Sequence, residues 1–288
     1  MSKSVYIISK PLQLSVAEII NNREPSSEVF VTDMFFNARG IFENLKKQKR
    51  WAKVFFVANR FQSFFLAALR KPQKLYIDGD IGTRLALYIF MFKVLSGCKC
   101  IYVYEEGIGT YRNDIYLNGF KKRLLEKFGI ATYFGGSRFC NGVYVFNPEL
   151  YIKVHGWKKS FEVNLLSQSI LDYMKEYYDE LCDLYEFNEE SVTRGDKVEL
   201  YITSYDVDQK ILQNFENNHG HAFVKLHPHL KENTFSAYFT KVEFVSNCIP
   251  AELFILKLSK NYKDVVIYHH GSSVQEYMPL NNVEFIRI

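Results

Sequence analysis

The sequence has little of what marks membrane-spanning, secreted or metal-binding proteins. Its longest apolar stretch, residues 85–95, is too short to cross a bilayer and favours a buried helix. The N-terminal residues run directly into a predicted strand, without the apolar segment of a signal peptide. The five cysteines are an odd number and lack the paired spacing of a zinc site. We therefore expect reduced, mostly buried thiols, no metal and a cytoplasmic location.

Several motifs of nucleotide and ester chemistry are also missing, and so is a strong charge. The sequence contains no P-loop, no G-x-G-x-x-G fingerprint and no nucleophile-elbow serine. The formal net charge is only +4, which is far from the dense basic footprint of a nucleic-acid binder. Nucleic acid is therefore the least favoured partner, whereas anionic substrates and lipid headgroups stay compatible with the charge.

What the sequence does contain is apolar and aromatic material for a core. Hydrophobic residues make up 48% of the 288 residues and aromatic residues 16%, so the chain has enough for two compact domains or one large one. In the first half, β-branched runs alternate with helix-length patterns. The predicted strands are Val5–Ser9, Glu28–Thr32, Lys53–Ala58, Leu75–Ile77 and Cys100–Tyr104. This alternation is typical of a parallel sheet with helices on both faces.

The pattern changes after the fifth strand and then resumes. Residues 111–160 are irregular, and Val163–Phe187 has the apolar spacing of one long helix that connects two halves. The predicted strands that follow are Lys197–Thr203, His221–Leu226, Val242–Val245, Val265–Tyr268 and Val283–Ile286. We predict an α/β fold of two Rossmann-like domains facing each other across a cleft, with residues 1–160 in the first, 161–195 as bridging helix and linker, and 196–288 in the second.

Three short polar motifs follow apolar runs. They are Glu105-Glu106-Gly107, His227-Pro228 and Gly271-Ser272-Ser273. In open α/β sheets ligands bind at the carboxyl edge, where such residues lie. A carboxylate can accept a proton from an alcohol, and an imidazole can donate one to a phosphate. The alternative interpretation of each motif is structural, as a solvated turn, a histidine capping a turn, or an ordinary helix cap.

The third motif carries an additional prediction. Ser273 and Glu276 have the spacing of a capping box that opens a helix. A helix N-terminus after a strand offers free N–H groups to an anion, so this turn is a candidate phosphate site. Two nearby features are interpreted as structural: His269-His270 lacks a third metal ligand, and Asp78-Gly79-Asp80 has the pattern of a solvated turn.

The order of the three motifs resembles that of bacterial sialyltransferases. The opening segment Ile7–Leu14 also resembles the strand and Pro-Leu-Gln start of glycosyltransferase family 52, the lipooligosaccharide sialyltransferases. This resemblance spans nearly all of the chain. It implies a GT-B-type fold, an acceptor side in residues 1–160 and a CMP side in residues 196–288. It also implies CMP-sialic acid as the donor, a glycan or glycolipid acceptor, inversion at the anomeric carbon, and no metal or other cofactor.

The resemblance also implies roles for single residues. His227 matches the general acid at the CMP phosphate, and Glu105, or else Glu106, matches the acidic motif with a general-base role. Asp206 follows the first strand of the second domain and competes for the role of base. The remaining substrate-binding candidates are Gln13, Gly107, Pro228, Glu252, Gly271, Ser272 and Ser273. One departure is that the acidic motif is Glu-Glu and contains no aspartate.

Alternatives stay open at this point. The same scaffold suits a transferase for another nucleotide sugar, or a non-catalytic module that binds nucleotides. The segments 46–51 and 157–159 combine cations with tryptophan, a composition compatible with peripheral contact with an anionic membrane. An oligomer is compatible with the sequence, which does not specify one.

Overall fold

A computed structural model describes residues 4–22, 24, 26–116, 119–156, 161–204, 207–217, 221–228, 230 and 235–288. The chain divides into two compact units. The first consists of residues 1–34 and 38–168, and the second of residues 35–37 and 169–288.

The first unit contains a seven-stranded parallel sheet within the described residues. Its strands are β1 (Ser4–Ile8), β2 (Glu28–Thr32), β3 (Lys53–Val57), β4 (Lys74–Ile77), β5 (Cys100–Tyr104), β6 (Gly142–Val145) and β7 (Glu162–Leu165), in the spatial order β3-β2-β1-β4-β5-β6-β7. The helices are α1 (Pro11–Asn21), α2 (Ala38–Gln48), α3 (Arg60–Leu69), α4 (Thr83–Ser96), α5 (Phe120–Lys127) and α6 (Pro148–His155). A 3₁₀ turn, Ile108–Tyr111, follows β5.

Burial explains the strand sequences of this sheet. Every residue of the central strands β1 and β2 is buried, as expected where helices cover both faces of a parallel sheet. The edge strands β3 and β7 are partly exposed. Pro11 at the first position of α1 fixes a helical φ where no N–H partner is needed, and Asn22 ends the helix in the left-handed conformation.

The second unit contains a five-stranded parallel sheet among its described residues. Its strands are β8 (Gly195–Ile202), β9 (His221–Lys225), β10 (Glu243–Val245), β11 (Tyr262–His269) and β12 (Val283–Arg287), in the order β10-β9-β8-β11-β12. The helices are α7 (Ile170–Glu176), α8 (Tyr178–Tyr185), α9 (Gln209–Asn217), α10 (Ala251–Asn261) and α11 (Val274–Tyr277). The predicted class, α/β with two Rossmann-like parallel sheets, is confirmed.

Two predictions for the middle of the chain are wrong. The segment read as irregular contains α5, β6 and α6, of which β6 has only four residues and therefore gives a weak pattern. The long helix predicted from Val163 is a strand followed by two helices. The Ser169 side chain accepts a hydrogen bond from Asp172 N and caps α7, and the backbone leaves helical geometry at Tyr177.

Each sheet has one point where the strand order reverses. In the first sheet it lies between β1 and β4, and in the second between β8 and β11. The carboxyl ends of the strands beside such a reversal form the usual ligand-binding edge of an open α/β sheet. A functional site is therefore expected at one of these two edges.

The turn Asp78-Gly79-Asp80 at the end of β4 is buried, so its interpretation as a solvated turn is wrong. Asp80 accepts hydrogen bonds from Gly135 N at 2.9 Å and Ser137 N at 2.8 Å. These backbone donors satisfy the buried carboxylate, which sequence spacing alone does not reveal. Burial, partly offset by those donors, raises the pKa of Asp80 to about 6.

We expect stability to depend on pH through Asp80. Its ordinary pKa is 3.8 and its folded value about 6, so the folded state holds an extra proton between these values. The wild type should lose up to roughly 3 kcal/mol of unfolding free energy, relative to Asp80→Asn, as pH rises through this window. Urea unfolding of both proteins from pH 4 to pH 7 measures this change, with Asp264→Asn as an exposed control. If the unfolding free energies of wild type and Asp80→Asn changed with pH in parallel, the raised pKa of Asp80 would be contradicted.

Candidate functional site

The carboxyl edge of the first sheet holds a network of charged and hydroxyl groups at the strand reversal. Ser9 follows β1, Asp78 follows β4, and Arg60 begins α3. The Ser9 hydroxyl donates to Asp78, and Arg60 Nη2 donates to Ser9 Oγ at 3.0 Å and to Asp78 Oδ2 at 2.5 Å. Ser9 and Asp78 are buried. This network fixes the two strand ends to each other.

Gln13 braces the same turn from the first turn of α1. Its side chain is 2% exposed, and its Oε1 accepts from Ser9 N at 2.8 Å. Among the described residues its Nε2 has no hydrogen-bond partner. The geometry gives Gln13 a positioning role at Ser9, and its contact with a donor sugar stays a prediction.

The two adjacent glutamates after β5 differ sharply in their surroundings. Glu105 is 2% exposed, and its Oε2 accepts from the Tyr111 hydroxyl at 2.5 Å and from Phe146 N at 2.8 Å. This carboxylate connects the turn after β5 to the end of β6. Burial and the nearby Glu105 charge raise the pKa of Tyr111, which therefore stays a donor.

Glu106 points to a different partner, since successive residues leaving a strand face opposite ways. Its Oε1 forms an ion pair with Lys10 Nζ, and both side chains are partly exposed. Burial is the main cause that lowers the pKa of Lys10. Gly107 adopts a φ of 113°, which requires glycine and lets the chain turn away from the strand. Of the two glutamates, Glu106 is the one with solvent access.

At the second sheet, His227 lies just past β9 and is tied to the neighbouring strand. Thr203, which follows β8, donates its N–H to Lys225 O at 3.0 Å. Its hydroxyl accepts from His227 N at 3.0 Å. The half-buried His227 is therefore held at the carboxyl edge of the sheet, and Pro228 after it ends the strand pattern.

The turn after β11 is held by a buried histidine. His269 Nδ1 accepts from Ser272 N at 2.9 Å, and Gly271 between them adopts a left-handed φ of 82°. Burial and then Arg287 lower the pKa of His269, in keeping with an uncharged ring whose Nδ1 accepts. The sequence did not predict this role of His269, although a histidine two residues before a Gly-Ser turn is a usable signal.

The capping box predicted from Ser273 is not formed. Ser273 has φ −69° and ψ −8°, which is helical, whereas an N-cap needs an extended backbone, and its side chain makes no cap bond. Ser272 Oγ instead accepts from Val274 N at 3.3 Å. Helix α11 has only four residues, so the proposed anion site at its N-terminus loses its basis. What remains at this turn are two half-buried hydroxyls.

His227 and Ser272 nevertheless lie on the same edge of one sheet. They follow β9 and β11, the two strands that flank β8 at the reversal. Because neighbouring strands are about 4.8 Å apart, the two strand ends are separated by roughly 10 Å. Asp206, also predicted here, lies outside the described residues.

Glu252 lies in the first turn of α10 and is 5% exposed. Burial raises its pKa to about 7, while the buried Lys225 opposes this rise. Burial likewise lowers the pKa of Lys225 to about 8, and its Nζ donates to Leu226 O at 3.2 Å. Glu252 is thus one member of a buried pair of titratable groups next to β9. Its contact with a ribose or base stays a prediction.

The segments considered for membrane contact give a correction. Trp51 is 5% exposed, with its ring 5.2 Å from that of Tyr6, so it does not serve as an interfacial anchor. In sequence, a tryptophan next to lysines is compatible both with membrane contact and with burial in the core. The pattern does not show which way the ring faces. Residues 157–159 lie outside the described part of the chain. No described helix has the length and apolar character needed to span a bilayer.

Metal ligation and cysteine chemistry add no further site. Among the described residues no group of three or more His, Cys, Asp or Glu side chains is arranged to hold a metal ion. The five cysteines are free thiols, and four of them are buried. Burial raises the pKa of the Cys140 thiol, next to Asp80, well above its ordinary value.

Comparison with known proteins supports the fold. No protein-family model and no curated protein matches the sequence. UDP-N-acetylglucosamine 2-epimerase from Rickettsia bellii superposes with a TM-score of 0.57 over 99% of this chain and 78% of its own, at 13% identity. The glycosyltransferase SnogD from Streptomyces nogalater gives a TM-score of 0.38 at 8% identity, over 99% and 84% of the two chains. The first likeness is one of fold, and it confirms the predicted α/β class of the GT-B type.

Proposed function

We propose that the protein is an inverting glycosyltransferase that moves sialic acid from CMP-sialic acid to a hydroxyl of a terminal sugar on a surface glycan. The observation that carries this proposal is the placement of His227 and Ser272 on either side of β8, at the strand reversal of the second sheet. The order of motifs along the chain, which resembles family 52 sialyltransferases, supports the donor. The acceptor is then a lipooligosaccharide or capsule glycan, met at the cytoplasmic side of the membrane.

The second unit supplies the donors that a departing phosphate needs. As the bond to the sugar breaks, negative charge gathers on the CMP phosphate, and donors fixed beforehand stabilise that charge. The Ser272 hydroxyl accepts from Val274 N and so keeps its own hydrogen for the phosphate. His227 donates a proton to the phosphate oxygen as general acid. The scheme therefore includes no metal and no cofactor.

A base on the opposite face of the sugar must activate the acceptor hydroxyl. Glu105 is a poor choice because its carboxylate already accepts from Tyr111 and Phe146. Glu106 Oε1 is already engaged in an ion pair with Lys10 Nζ, so Glu106 is also a weaker choice. Asp206 comes four residues after the end of β8, the strand between those that carry His227 and Ser272. The family resemblance also names an aspartate of this region as a candidate base, so we propose Asp206 as the base and Glu106 as a residue that binds the acceptor.

Acceptor-dependent release of CMP tests this function. Purified protein is given CMP-sialic acid with and without lactose, and free CMP is measured. We expect release to accelerate when lactose is present and a sialylated lactose to form. A folded protein that binds CMP but releases none from the donor would instead be a non-catalytic nucleotide-binding module.

A second candidate is an enzyme of the same fold that acts on a UDP-sugar. The observation that favours it is the fold likeness to UDP-N-acetylglucosamine 2-epimerase over nearly the whole chain. The same assay with UDP-N-acetylglucosamine separates the two candidates when both free UDP and conversion of the sugar to its 2-epimer are measured, because an epimerase changes the sugar without net release of UDP.

A further inference from the structure

Helices α3 and α4 of the first unit present apolar side chains to solvent. Of the seventeen large apolar side chains exposed among the described residues, seven lie on these two helices. They are Phe61, Phe65, Leu69, Leu87, Phe90, Val94 and Leu95, each between 41% and 66% exposed. The spacing 61, 65, 69 and the spacing 87, 90, 94 each place side chains on one helix face. Singly exposed apolar residues are ordinary, but two parallel stripes need an explanation.

The two stripes form one continuous surface. Helices α3 and α4 pack against each other through Phe64, whose ring lies 6.3 Å from that of Phe92. Above this buried seam, the Phe61 ring lies 5.5 Å from Tyr88 and stacks on Phe65 at 6.5 Å. The exposed rings are therefore held in place by their own neighbours. We call this surface, formed by the seven side chains named above, the α3–α4 face.

Helix α5 extends the α3–α4 face. Three more exposed apolar side chains, Phe120, Leu124 and Phe128, lie four residues apart on α5 and at its end. The connection runs through residues 129–139: Arg138 N donates to Gly129 O at 3.0 Å, and the Arg138 guanidinium lies 4.9 Å from the Phe139 ring. That ring in turn lies 5.7 Å from Phe90 on the α3–α4 face.

The charges around this surface are almost all positive. No acidic residue occurs in residues 60–74 or 83–99, the segments that contain α3 and α4. The exposed cations are Lys71, Arg84, Lys99, Lys121, Arg123 and Lys127. The one acid of α5, Glu126, accepts from the Thr132 hydroxyl. Exposed aromatic and aliphatic side chains on helices that also carry exposed cations are the composition of an interfacial membrane surface.

We propose that the α3–α4 face and α5 dock on an anionic lipid bilayer. The positive charge selects this occupant over a second copy of the chain, because two such faces brought together would oppose like charges. Two interactions favour binding to a lipid surface. Apolar side chains enter the boundary of the acyl region, and cations contact anionic headgroups. The proposal does not depend on which sugar donor the protein uses.

Vesicle sedimentation tests the proposal with full-length protein and vesicles of phosphatidylcholine, with or without phosphatidylglycerol. Wild type should sediment with the anionic vesicles and lose this binding as salt is raised. The triple variant Phe65→Ser, Leu87→Ser, Val94→Ser should bind them at least about tenfold more weakly, since exposed side chains contribute to partitioning only in the bound state. Replacing Lys121, Arg123 and Lys127 by Gln should weaken binding by roughly fivefold per cation, and this effect should be seen only with the anionic vesicles.

The control is Leu165→Ser with Tyr238→Ser, which removes two apolar side chains, 65% and 79% exposed, outside this surface and should bind as wild type does. Circular dichroism and melting temperature establish that each variant is folded. Two results would overturn the proposal: wild type that stays in the supernatant with anionic vesicles, or the serine variant binding as tightly as wild type. A wild-type dimer that becomes monomeric in the serine variant, without vesicle binding, would assign the surface to a second copy instead.

Discussion

His227→Ala is expected to lower the rate of CMP release from CMP-sialic acid by about two to four orders of magnitude, the usual contribution of a positioned general acid. The imidazole is held at the end of β9 by its own backbone N–H, which donates to Thr203 Oγ1. Alanine keeps this backbone bond and removes only the ring. The loss should therefore appear in turnover, with the melting temperature close to that of the wild type.

His221→Ala is the matched control for this variant. His221 begins the same strand at the opposite edge of the sheet, where its ring contacts Tyr262 and Glu243. Removing it should leave turnover near the wild-type rate. A folded His227→Ala protein with normal turnover would remove His227 from the mechanism, and equal losses in both variants would point to damage to β9 rather than to lost chemistry.

The second large effect is expected for Asp206→Asn. Asparagine keeps the size of the side chain but does not accept a proton from the acceptor hydroxyl, so turnover should fall by roughly two to four orders of magnitude. Hydrolysis of the donor by water should fall as well, because the same base would activate water. Binding of CMP, followed by its effect on melting temperature, should be kept.

Variants of the two glutamates after β5 test whether Asp206, rather than Glu105 or Glu106, is the base. Glu106→Gln removes the ion pair with Lys10 and should raise the KM for the acceptor more than it lowers kcat. Glu105→Ala removes the oxygen that accepts from both Tyr111 and Phe146 N and should lower stability by about 1–3 kcal/mol, with turnover retained. Full activity of Asp206→Asn together with an inactive Glu106→Gln would transfer the role of base to Glu106.

The sequence predicted the sheets well because buried parallel strands are continuous β-branched or aromatic runs. All of the first five predicted strands differ from the observed ones by at most one residue at either end. Strands β6 and β7 are both short and were not predicted, and β7 is a partly exposed edge strand in which the polar Glu162 and Asn164 interrupt the apolar pattern. A serine cap at Ser169 and a break at Tyr177 divided a helical pattern whose apolar spacing continues across both.

The candidate site was harder to predict, since its contacts join residues distant in sequence. Strand-end positions were enough to place His227 and Ser272 on one edge. They were not enough to show that the Glu105 carboxylate accepts a hydrogen bond from Tyr111, or that Glu252 lies buried near Lys225. Nor did local spacing show that Ser273 adopts helical dihedral angles, which direct its hydroxyl away from a capping position. Tertiary contacts decide each of these cases.

We expect the carboxyl edge of the second sheet to process a cytidylate donor. This is tested by comparing nucleotide release from CMP-sialic acid and from UDP-N-acetylglucosamine, each with and without lactose, by the purified wild-type protein. Release of CMP should accelerate with lactose, and UDP should not be released. Release of UDP alone, or the absence of CMP release with every acceptor tried, would contradict it.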